Sequence, residues 1–414
     1  MKIIEILKSS NKDFKKNLIL FFIAYFFVLF NYPLIRAATT SIFFENHGAK
    51  STPGAWVWAV IFLSFSIFIC NKIQKTKSVQ FVFTVASIAS ALIFFAGMLP
   101  TFGYFPFIWK EIYIVLQIHL LLAYANNFFP KDLFKLLIGP LGAIGSFGGV
   151  LGGLFTTYLS ANWGTLAVLQ VGVVFVALPI VFFIKTKILF KSEEEKKKTP
   201  LASLDSPSVK KYVFYIAGIV ALTQFIINIV DFKFNMAFEA AVPTKDLRTT
   251  YLGQIYAWTN AVTFFFQFVI LPYALVRITE RKLHFLIPLS YLICILVLMF
   301  SGQFGLAAVA GIFIYFKASD YSFFSAAKEL LYQPLSLSQK YGAKYLTDML
   351  VYRASKATIG ILLIYLQSSF ILDIMMLSFL LVWILIVFKL FELHKKLFEN
   401  KDVYAKPITS KDNE

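Results

Sequence analysis

Arg36, Asp231, Lys233, Lys317, Asp320, Asp348, Arg353 and Lys356 are charged residues set within, or at the edges of, stretches otherwise rich in Phe, Ile and Leu. A charge at membrane depth costs about 2.5–3.5 kcal/mol on insertion scales. Such a side chain therefore faces a partner or a water-filled path. The basic members outnumber the acidic ones, which suggests a path for something anionic. The fourth apolar stretch adds Lys110 and Glu111. There is no nucleophile–base arrangement and no His/Cys cluster at metal-ligand spacing. The two cysteines, Cys70 and Cys294, lie within or beside apolar stretches and make no disulfide scaffold. The chain therefore reads as a non-enzyme that requires no metal or cofactor.

Two readings of these charges stay open. In one they are internal pairs that lock helices, with Lys317 bound to Asp320 at i,i+3 and Lys344 to Asp348 at i,i+4. In the other they contact a solute. Arg36, Lys233, Arg353 and Lys356 favour the second, because too few acids lie at the same depth to neutralise them all. Asp231 and Lys233 are two residues apart, so a helix points them in different directions. Lys328 and Lys344, near a span's edge, can snorkel to the interface.

The elements that must hold these groups are membrane spans. The chain has 414 residues, of which 59% are hydrophobic and 15% charged, with a mean hydropathy of +0.74; soluble domains carry about 25% charged residues. Twelve stretches approach the ~20 apolar residues a span needs. They lie at 18–44, 54–71, 79–99, 106–128, 135–160, 163–185, 212–242, 251–276, 284–301, 304–330, 345–367 and 369–390, and Pro33 is expected to kink the first. The expected fold is an all-α membrane protein of twelve helices in two six-helix halves, major-facilitator-like. Its parts are residues 1–185, a cytoplasmic linker at 186–211 containing Ser192–Lys198, a second bundle at 212–392 and a tail at 393–414. The pairing of Asn31 with Arg36 and of Asn228 with Lys233 is a weak trace of duplication.

The net charge of +17 sits mostly in short alternate loops and in the tails. That is the positive-inside pattern, so both termini are expected in the cytoplasm and the protein in the inner membrane. The same distribution argues against nucleic acid as a partner and leaves lipids and a small solute. Lys2 and Lys8 open a retained first span without a cleavage site. The glycines of Gly139–Gly153 read as close helix packing or a hinge. The 48 Phe residues are not read as an aromatic cage.

Several strings resemble the nucleotide translocases, the ATP/ADP exchangers of intracellular bacteria and plastids. Phe30-Asn31-Tyr32 followed by Ile35-Arg36 is similar to that family's first-span motif. Lys110-Glu111 with Tyr124-Ala125-Asn126 resembles its fourth span, and Phe324–Glu329 with Tyr332–Leu335 its FDPxKE…YxPL string. Gly342–Lys356 resembles its GKxxxD…R..K spacing. The resemblance implies nucleotide exchange, with these cations on the substrate. Thr39 and Asp320 stand where the family has lysines, and Ser325-Ala326 where it has Asp-Pro, which implies a weaker hold on a triphosphate.

Together these features lead to a monomeric transporter that moves a nucleotide-like anion by alternating access, as an exchanger. Its substrate-contacting residues are Arg36, Thr39, Glu111, Asp231, Lys233, Lys317, Asp320, Arg353 and Lys356, with Arg36 and Lys233 reaching the anion from opposite halves. Two alternatives remain. One is a proton-coupled facilitator in which Asp231, Asp320 or Glu111 carries the proton. The other is a non-transporting receptor or assembly subunit.

Overall fold

The computed structural model describes residues 11–99, 102–189, 204, 206–300 and 305–399. Lys2 and Lys8, Ser192–Lys198 of the expected linker and residues 400–414 of the expected tail lie outside them. The described chain is helical. Helices α1 (Lys12–His47), α2 (Thr52–Ile73), α3 (Val79–Ala96), α4 (Tyr104–Phe128) and α5 (Lys131–Phe183) form the first half. Helices α6 (Pro207–Ala241), α7 (Lys245–Phe265), α8 (Leu271–Arg277), α9 (Glu280–Phe300), α10 (Gly305–Ser319), α11 (Ser325–Tyr332), α12 (Leu337–Lys344), α13 (Tyr352–Tyr365) and α14 (Ser369–His394) form the second.

Among the described residues nine helices are long and apolar enough to cross a membrane, fewer than the expected twelve. The other expected spans fall in helices that are merged or interrupted. Helix α5 is broken at Gly164, whose backbone (φ 77°, ψ 178°) is not helical, beside the expected loop at 161–163. The stretches α10–α11 and α12–α13 are each split by a π-helical turn, at Asp320–Phe324 and Tyr345–Val351. A third such turn, Phe266–Ile270, joins α7 to α8. Helix α1 runs through the buried Pro33, and α6 starts at Pro207, within the stretch expected to be linker. Proline is tolerated in a first helical turn, where its missing N–H is not needed.

Large apolar side chains such as Phe65, Leu92, Phe214, Val276 and Leu381 point outward. That suits a lipid surround. Inside, the glycines of α5 let backbones touch. An added Cβ at Gly148 or Gly152 would collide with the Phe26 or Phe30 carbonyl oxygen of α1. On the next face, one added at Gly149 or Gly153 would collide with Asn260 or the Ala257 backbone of α7. One glycine-rich helix therefore packs on α1 within its own half and on α7 of the other, which is the packing role its spacing suggested.

The starts of α1 and α6 and the close of α14 share one end of the bundle; Tyr212 there hydrogen-bonds His394 and the Leu331 carbonyl. At the opposite end the halves are latched. Gly48 (φ 72°) turns the chain so that the Ala49 N–H meets the Glu239 carboxylate at 2.9 Å. Gly164 does the same for the Thr165 N–H and Asp246 at 2.7 Å. Both turns need the left-handed region that glycine reaches without a steric penalty. Ser160 donates to the Asp246 carbonyl, Thr165 and Thr249 share a hydrogen bond, Lys245 pairs with Glu45 at 2.7 Å, and Phe44 packs on Phe238. The exposed Lys245–Glu45 pair is worth ~0–1 kcal/mol, so the two capped N–H groups dominate. Losing such a cap costs about 0.5–2 kcal/mol. The double variant Glu239→Ala/Asp246→Ala should therefore part the halves at this end. Pulsed EPR between labels at Lys50 and Leu247 should show a longer, broader distance distribution than in the parent; an unchanged distribution would show that these carboxylates do not hold the halves together.

Candidate functional site

A cavity of about 630 Å³ lies between the halves. Its polar wall is built from helix faces. Tyr25, Tyr32 and Arg36 follow one another on α1, as do Gln224, Asn228 and Asp231 on α6. Tyr256, Asn260, Thr263 and Gln267 run along α7 and its π-helical turn. These spacings of three, four and seven residues put each set on one helix side. Each π-helical turn between spans also supplies lining residues, namely Gln267, then Asp320 with Tyr321, then Asp348. An extra residue in a turn re-aims the side chains around it, and such turns recur at functional sites.

Seven of the nine residues expected to contact substrate line this cavity: Arg36, Glu111, Asp231, Lys317, Asp320, Arg353 and Lys356. Two do not. Thr39 is buried and bonds back to the Ile35 carbonyl at 2.6 Å, a habit of threonine within helices. Lys233 opens instead on a second cavity of about 650 Å³ beside Met236, Leu306 and Gln367. Because Asp231 faces the centre, a residue two further along α6 must face away. There Lys233 pairs with Asp373 of α14, so it does not reach the centre with Arg36.

The internal pairs also differ from those expected. Lys317 binds Asp231 of α6 at 3.0 Å, not Asp320 of its own span. Lys344 binds Glu329 at 2.6 Å, while Asp348 accepts from Lys328 at 2.7 Å. Lys356 of α13 crosses to Glu111 of α4 at 3.0 Å, joining the halves at the cavity's inner end, and its ammonium lies 5.6 Å from the Trp56 ring centre. The four cavity cations therefore face four cavity acids, Glu111, Asp231, Asp320 and Asp348. Acids distant in sequence thus reach the cavity, and Lys233 and Lys356 each find one. Two cations still make no ion pair among the described residues. Arg36 instead lies over Tyr256 of the other half, 4.4 Å from its ring centre. Arg353 faces the cavity with no hydrogen bond or ion pair among the described residues. Lys110, also buried, sits 3.0 Å from the Phe107 ring centre beside a smaller adjoining cavity.

The sequence reading missed Asp373, a lone acid in a strongly apolar span, and the tyrosines Tyr25, Tyr32, Tyr256, Tyr321 and Tyr352. The readable signal for the tyrosines was their place in polar stripes at helical spacing. The resulting site can hold a ligand of a few hundred cubic ångströms, offering two free guanidinium groups, amides and phenolic rings.

No protein-family model and no curated protein matches the chain. Solved structures match its fold. A nucleoside transporter, NupG, superposes with a TM-score of 0.61 over 91% of this chain and 98% of that one, at 12% identity. A POT family transporter in complex with 5-aminolevulinic acid gives 0.64 over 91% and 96%, at 11% identity. A D-xylose-proton symporter gives 0.62 over 91% and 97%, at 13% identity. At these identities the likeness is one of fold, and the architecture is major-facilitator-like.

The Lys356–Glu111 pair, with side chains 22% and 24% exposed, invites a direct test. Removing one partner of a fully buried pair costs about 3–5 kcal/mol, and of this partly exposed pair less, whereas replacing both can be nearly neutral. Lys356→Gln should lower the melting temperature clearly, and Lys356→Gln/Glu111→Gln should recover most of the loss. Additive losses would mean that the two groups do not interact.

Proposed function

We propose that this protein is a secondary transporter that moves a small anionic, nucleotide-like metabolite across the inner membrane by alternating access. The observation that carries the reading is the cavity between two latched halves, with Arg36 and Arg353 facing it outside any ion pair. A fixed guanidinium in a low-dielectric site attracts phosphate or carboxylate oxygens strongly and matches them bidentately. The tyrosines suit the flat face of a base or the hydroxyls of a sugar. The motif resemblance to nucleotide translocases supports this class of cargo. The fold does not choose it, since neighbours of this architecture include a nucleoside transporter, a POT family transporter in complex with 5-aminolevulinic acid and a D-xylose-proton symporter.

With the termini in the cytoplasm, the latched end is the outer gate and the structure is the inward-facing state. Cargo entering from within displaces water and engages Arg36 and Arg353. It also competes with Glu111 for Lys356, which weakens the contact between the halves and favours rearrangement. The same cycle in reverse returns a counter-solute, giving exchange.

Purified protein in liposomes preloaded with unlabelled nucleotide should take up labelled ATP, ADP or AMP. Arg36→Gln and Arg353→Gln should each cut the initial rate at least tenfold. The double variant Lys233→Gln/Asp373→Asn removes a whole pair outside the central cavity and should retain uptake. If no nucleotide enters, and no organic phosphate competes, the cargo assignment fails.

A further inference from the structure

Four acids line the central cavity, and three already hold a lysine. Glu111 is paired with Lys356, Asp231 with Lys317 and Asp348 with Lys328. Asp320 makes no ion pair among the described residues, although it is only 8% exposed. The lysines of its own span are Lys317, three residues before, and Lys328, eight residues after; both are committed elsewhere. Other groups face it from every side. Gln224 approaches from α6, yet its Nε2 reaches no partner within hydrogen-bond distance. Tyr291 comes from α9 and Tyr352 from α13, with Tyr321 adjoining it in the same π-helical turn and Arg353 in the same cavity.

From this arrangement we infer that Asp320 is a proton-binding site, protonated while its neighbours are paired as they are here, and that its ionisation redistributes those pairs. A buried carboxylate without a cation is costly enough that such groups neutralise instead. A protonated carboxyl offers one donor and retains acceptor capacity, which a facing amide such as Gln224 can use. The proton comes from cavity water and returns to it, so no other reactant is needed.

The consequence reaches beyond one side chain. Once Asp320 has released its proton, it competes with Asp231 for Lys317 and with Asp348 for Lys328. If Lys317 turns to Asp320, Asp231 is left charged beside Arg36 of the opposite half, which has no ion pair of its own. Protonation of Asp320 is thereby linked to a contact between the halves. Of the four cavity acids, Glu111, Asp231 and Asp348 are the ones held by lysines. The inference does not depend on which solute is moved.

Difference infrared spectroscopy of the protein in lipid nanodiscs, titrated with no solute added, tests it. The wild type should show the carbonyl stretch of a protonated carboxylic acid, lost in one step as pH rises. Asp320→Asn should lack that band, and Glu239→Gln, altered in the latch, should keep it. Asn imitates the neutral acid, so Asp320→Asn should fold. Retention of the band in Asp320→Asn, or its absence from the wild type at every pH where the protein stays folded, would overturn the assignment.

Discussion

Lys356 and Glu111 meet from opposite halves at the inner end of the cavity, and the arrangement around them follows from the need to pair charge at membrane depth. Both side chains face the cavity, and each balances the other's charge there. Their contact fixes α13 against α4 and brings Trp56 close to the ammonium. The same requirement draws Asp231 to Lys317 on another helix and Lys233 to Asp373 on a third. Each pair ties helices together at a defined depth. Among the described residues Arg36, Arg353 and Asp320 make no ion pair in the centre, and in the proposed cycle they are the groups left for solute and proton.

Close backbone approach works alongside the ion pairs. The glycines of α5 bring α1 and α7 to distances at which a single methyl group would collide with a carbonyl or an amide. At the far end, Gly48 and Gly164 each aim a backbone N–H at a carboxylate from the other half. These caps are individually modest, so the latch can hold one state without locking it. Such balance suits the proposed cycle, in which the halves part and rejoin.

Much of this was legible in the sequence. Apolar length and alternate basic loops indicated an all-helical membrane protein, and seven cavity residues were found because a charge inside an apolar run is conspicuous. Partners were harder to read. Lys317 with Asp320 and Lys344 with Asp348 satisfied the helical spacing rule, yet each chose an acid elsewhere. A π-helical turn follows Lys317 and another follows Lys344, so the register that the rule assumes does not hold there. Asp373 went unnoticed because an isolated acid is visible as a partner only once α14 lies against α6.

By itself, then, the sequence determined the class of fold, which charges lie within apolar runs and the close packing of its glycine-rich helix, since these depend on composition and spacing along one chain. Tertiary structure alone decided which charges neutralise one another, that Lys233 and Thr39 leave the centre, and that Asp320 has no cation partner among the described residues. Those outcomes depend on how helices far apart in sequence rotate against one another, and a turn of 200° between Asp231 and Lys233 (, about 100° per residue) is enough to send two neighbouring charges into different cavities.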